Sequence, residues 1–130
     1  MDELDFVKKL EEDEELFDRE YDKLGDFFNL RHYEKVHDFI KDNTELIVLL
    51  NELKHRLSKA FPTGKFDLVL NMDYEYSDWS IVVLYVKVDE YTFDNGVMDD
   101  INKITFDFIP LRRKLDVLPD FAIWPALYNW

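Results

Sequence analysis

The chain has 130 residues, 47% of them hydrophobic and 16% aromatic, enough for one domain with its own core and too apolar for global disorder. A net charge of −13, from 29 acidic and 16 basic side chains, sets up a field that repels phosphate backbones and attracts basic surfaces. With no cysteine, disulfides, thiolate nucleophiles and thiolate metal sites are excluded.

Residues 1–28 read as an acidic amphipathic helical leader, and 29–130 as the α+β core of one domain, 1–130. Residues 1–29 hold 12 acidic and 4 basic side chains, whereas 30–63 are nearly neutral. Within the leader, Leu4, Val7, Leu10, Phe17, Tyr21, Leu24 and Phe28 recur at three- and four-residue steps, with a gap at Glu14. That stripe predicts one helix over about 3–24, stopped at Gly25. It also lacks the basic start and apolar run of a signal peptide, so a cytoplasmic location is expected.

A second helix is expected from about Leu30 to Lys41, with Tyr33, Val36, His37 and Ile40 on one side. Asp42 and Glu45 have capping-box spacing before a third helix, whose stripe runs from Leu46 to Leu57 and ends near Ala60, ahead of Pro62 and Gly64.

From Lys65 the apolar period shortens to two. Phe66, Leu68, Leu70 and Met72 form one strand, and Trp79, Ile81, Val83 and Tyr85 another that is apolar on both sides. The short polar link between them predicts a hairpin. The stretch Asp89–Gly96 reads as strand end plus turn. A helix follows from Met98, with Pro110 either stopping or kinking it. A last strand, Phe121–Trp124, is expected to close at Pro125, since proline donates no ladder hydrogen bond. The expected fold is therefore α+β, with N-terminal helices packed on a small, mostly antiparallel sheet in the order α-α-α-β-β-α-β.

The hairpin link concentrates Asp73, Glu75 and Asp78. Hard oxygen ligands of this kind suit Mg²⁺ or Ca²⁺, and a divalent-metal-dependent enzyme acting on a phosphate ester is the alternative functional reading. A solvated turn needs only polar residues there, however, and no phosphate loop or catalytic His or Lys accompanies them. His32, His37 and His55 match no metal motif. Only Gly25, Gly64 and Gly96 are available, which rules out a dinucleotide fingerprint or a P-loop, and no cofactor is expected. Arg112, Arg113 and Lys114 form the densest positive run. It reads more simply as a helix-end charge bias or an internal partner for the acidic leader than as a nucleic-acid contact.

The expectation is a non-enzymatic interaction protein of inhibitor, antitoxin or immunity type. It would bind a basic protein partner or self-associate, with no direct nucleic-acid or membrane contact. Glu11, Glu12, Glu14 and Glu15 would supply the charge, and Tyr74, Tyr76 and Trp130 the aromatic anchors.

Overall fold

The acidic leader folds as two helices. In a computed structural model describing residues 2–72, 80–117 and 121–128, α1 spans Glu3–Glu12 and α2 spans Glu14–Leu24. Asp13 separates them. Its backbone leaves the helical region (φ −126°, ψ 99°), and its side chain accepts a 3.1 Å hydrogen bond from the Leu16 N–H as the N-cap of α2. The gap in the apolar stripe at Glu14 marks this break. Both helices dock on the chain's own core, through Val7 and Leu10 of α1 and Phe17, Tyr21 and Leu24 of α2.

A two-residue strand β1, Asn29–Leu30, follows, and then α3, Tyr33–Asp42. Between them His32 adopts a left-handed conformation (φ 55°), which histidine tolerates better than most residues with a side chain. The next helix, α4, spans Glu45–Ala60. Thr44 precedes it without a side-chain cap, while Asp42 closes α3, so the anticipated capping box does not form. Leu46, Ile47, Val48, Leu49 and Leu50 are all buried, and α4 contacts α1, α2 and α3. Burial around the circumference of its first half, Leu46–Leu50, makes it the centre of the helical layer.

Strands β2 (Lys65–Met72) and β3 (Ser80–Val88) pair antiparallel, Phe66 opposite Val86 and Leu68 opposite Leu84. The stretch read as a turn after β3 is a short helix α5, Glu90–Asp94, capped by Asp89, whose side chain accepts from the Thr92 N–H at 2.7 Å. Helix α6 covers Val97–Asp107, and α7 covers Ile109–Lys114. Pro110 lies in the first turn of α7, where a missing N–H costs nothing, so the helix stops at Asp107 and a new one starts. Strand β4, Phe121–Leu127, runs through Pro125 rather than ending at it. It is an edge strand, where proline is tolerated.

The sheet order is β1-β2-β3-β4, and the expected mostly antiparallel sheet is overturned. Only β2–β3 is antiparallel; β1–β2 and β3–β4 are both parallel. Parallel neighbours need a long crossover. Helices α3 and α4 supply it between β1 and β2, and α5, α6 and α7 between β3 and β4. The hairpin is the one sheet connection with a local signal, so the two long-range parallel pairings escape a reading of the sequence.

Side-chain alternation sorts the sheet into two faces. Phe66, Leu68, Val82, Leu84, Val86, Val88 and Phe121 enter the buried cluster with the helices, and Leu70 and Ile123 pack against it. The register places Asp67, Val69, Ile81, Val83, Tyr85, Ala122 and Trp124 on the opposite face. None of these belongs to the helix-packed cluster. The described helices thus cover one side of the sheet.

Candidate functional site

Along α2, Glu14, Asp18 and Asp22 follow at four-residue steps, so the three carboxylates share one face. On α3, Glu34 and Asp38 do the same. Docking brings these rows together around a groove of about 420 Å³, lined by Glu14, Asp18, Asp22, Tyr33, Glu34, His37 and Asp38.

The groove rests on an aromatic seam. Phe17 and Tyr21 are fully buried and stack with centroids 6.1 Å apart, and the His37 ring meets both edge-on at 5.3 and 4.9 Å. The Tyr21 hydroxyl donates to the Tyr33 carbonyl at 2.8 Å, joining α2 to the start of α3. Burial holds the Tyr21 phenol protonated well above the usual tyrosine range. The Tyr33 hydroxyl donates to the Asp22 carboxylate, and that hydrogen bond raises its pKa to about 12.

His37 bridges the two walls. Its Nε2 lies 3.0 Å from Asp18 of α2 and its Nδ1 lies 3.3 Å from Asp38. Burial alone would lower its pKa, but the hydrogen bonds to Asp18 and Asp38 outweigh that and raise it. At one end of the groove Lys41 donates to Glu14 at 2.7 Å. His37 and Lys41 offset only part of the charge of five carboxylates. Among the described residues no group of three or more His, Asp or Glu side chains is placed to hold a metal ion. The carboxylates form an extended acidic strip, suited to ammonium or guanidinium groups presented along a chain.

The structure separates the four glutamates singled out in the sequence. Glu11 and Glu12 fall in the last turn of α1, while Glu14 and Glu15 fall in the first turn of α2, where negative charge favours the helix dipole. Glu14 lines the groove, and Glu11 accepts from the buried Thr44 hydroxyl at 3.4 Å. Glu12 and Glu15 are exposed outside the groove lining. The expected anchors Tyr74, Tyr76 and Trp130 and the expected ligands Asp73, Glu75 and Asp78 lie outside the described residues. Asp18, Asp22, Tyr33, Glu34 and Asp38 were not singled out. Their signal is the four-residue carboxylate spacing on two successive helices, which becomes a groove only once the helices pair.

The basic run after Pro110 is largely engaged. Arg112 is buried, donates to the Phe121 carbonyl and sits over the Phe121 ring, fixing the start of β4. Lys114 pairs with Asp2 at 2.9 Å and Glu3 at 2.8 Å, an internal partner for the acidic leader. These contacts hold the Asp2 carboxyl down at about 2.

A second polar cluster lies at one end of the sheet face opposite the helices. Asp67 is only 4% exposed and is held by Lys87 at 3.4 Å, Asn29 at 3.3 Å and Arg31 at 3.8 Å. Burying a carboxylate is costly unless it is paired and hydrogen-bonded. Here they tie β1, β2 and β3 together.

No described helix is long and apolar enough to cross a membrane. Comparison with protein-family models, with curated proteins and with solved structures returns no match.

Proposed function

We propose that this chain is a non-enzymatic interaction protein that captures a basic protein partner through the acidic groove between α2 and α3. The observation that carries the reading is the pairing of two carboxylate rows, Glu14–Asp18–Asp22 and Glu34–Asp38, around one open groove. A single exposed ion pair contributes at most about 1 kcal/mol. Several carboxylates on a rigid frame act together, raising the association rate and selecting the sign of the partner. His37 and Tyr33 brace the walls, so the charges are held in place before the partner arrives.

The test is affinity capture from the native host's lysate at low and high salt, comparing the unmodified chain with an Asp18→Asn, Asp22→Asn, Asp38→Asn variant. The expected result is a basic protein retained at low salt, released at high salt, and lost in the triple variant. Equal capture by both forms would overturn the assignment of the groove.

A further inference from the structure

We infer that His37 makes capture in the acidic groove proton-linked: a basic segment that takes Asp18 and Asp38 expels the proton of the ring, so binding strengthens as pH rises. This deepens the groove reading and rests on it, adding the residue that regulates the site.

Both ring nitrogens of His37 face carboxylates, Nε2 at 3.0 Å from Asp18 and Nδ1 at 3.3 Å from Asp38. A neutral imidazole has one N–H, so it would turn a lone pair toward one of these oxygens. Only the imidazolium donates to both. The two hydrogen bonds outweigh burial and keep the proton on the ring to higher pH than in an ordinary histidine. Protonated His37 thus occupies the carboxylates that an incoming ammonium or guanidinium would take. The two cations compete for the same oxygens and repel each other, so each weakens the hold of the other.

The proton is not what frames the groove. A neutral His37 ring still packs edge-on against Phe17 and Tyr21 and beside Tyr33. The bonds from Tyr21 to the Tyr33 carbonyl and from Tyr33 to Asp22 persist, since both phenols are held protonated above the usual tyrosine range. Loss of the proton therefore changes the charge of the groove by one unit and keeps its walls. The other titratable groups of α2 and α3 around the ring are Glu14, Asp22, Glu34 and Lys41. The hydrogen bond to Glu14 raises the Lys41 pKa, so Lys41 stays charged and competes equally across the neutral range.

The test uses an arginine-rich peptide with blocked termini, whose own charge is constant between about pH 5.5 and 8.5. At low salt its affinity for the unmodified chain should rise about three- to tenfold across that range, and His37→Gln should abolish the dependence. The same coupling is read from the other side by following the His37 ring signals in the unmodified chain by NMR. Saturating peptide should lower the titration midpoint of His37 by about half to one pH unit. This readout decides the matter should His37→Gln fail to fold. Peptide that binds with an affinity flat or falling with pH, or that leaves the midpoint unmoved or raised, would overturn the inference and spare the groove. A pH dependence that persists in folded His37→Gln would do the same. No binding at any pH would overturn the groove reading and the inference together.

Discussion

On the α2–α3 side, Glu14, Asp18, Asp22, Glu34 and Asp38 surround a groove braced by hydrogen bonds from Tyr33 and His37. On the sheet face opposite the helices, the lone carboxylate among the described strand residues, Asp67, is buried among cations, beside Val69, Asn71, Ile81, the buried Val83, Tyr85 and Trp124. The two surfaces belong to one chain of net charge −13, yet they differ sharply in charge. Net charge therefore describes neither of them. The secondary structure sorts charge by period, with carboxylates every four residues on helices and apolar residues every two on strands, and so builds one electrostatic and one apolar surface.

The largest expected effect breaks the first surface while sparing the second. Phe17→Ala removes a ring packed between Tyr21 and His37 and should cost about 3–5 kcal/mol in denaturant-induced unfolding, with the groove loosened first. A loss under about 1 kcal/mol would mean the seam does not hold the groove. Next is the polar end of the sheet. Asp67→Ala leaves Lys87, whose side chain is 14% exposed, without its carboxylate, and should cost about 2–4 kcal/mol by the same measurement.

A smaller effect distinguishes the groove by pH. The folded pKa of His37 is raised, so its ion pairs stabilise the fold fully below the unfolded value of 6.5. That stabilisation is lost as pH rises through the higher folded value. Melting curves of the unmodified chain should show this decline, at most about 1 kcal/mol for a partly exposed pair, and His37→Gln should flatten it. The smallest effect is that of Lys114→Ala. It frees Asp2 and Glu3 and should speed amide exchange in the first turn of α1 without measurably changing global stability.

Much of the helical layer was legible in the sequence. The stripes of α2, α3 and α4 predict their buried residues, because a 3.6-residue period is a local property. The hairpin strands were legible for the same reason. The break at Asp13 left a trace, the gap at Glu14, but a gap in a stripe does not distinguish a break from a solvated turn. Strand β1 is two residues long and has no period at all. Its pairing with Asp67 and Leu68, like that of β4 with β3, depends on crossovers through helices, and no local pattern encodes the direction in which a strand returns. The candidate site follows the same logic. Glu11, Glu12, Glu14 and Glu15 are conspicuous as a run, but the helix break between them sends Glu11 to Thr44 and Glu14 to the groove. Asp18 and Asp22 gain their meaning from α3, which packs beside them.

The most direct test of the acidic groove as a binding site is a titration of the isotopically labelled chain with an arginine-rich peptide at low salt, followed by backbone amide shifts. Saturable shifts centred on Asp18, Asp22, Glu34 and Asp38 are expected, abolished by high salt and by the Asp18→Asn, Asp22→Asn, Asp38→Asn variant, with Val69, Ile81 and Trp124 unmoved. Shifts spread evenly over every acidic surface, or centred on Val83 and Trp124, would contradict it.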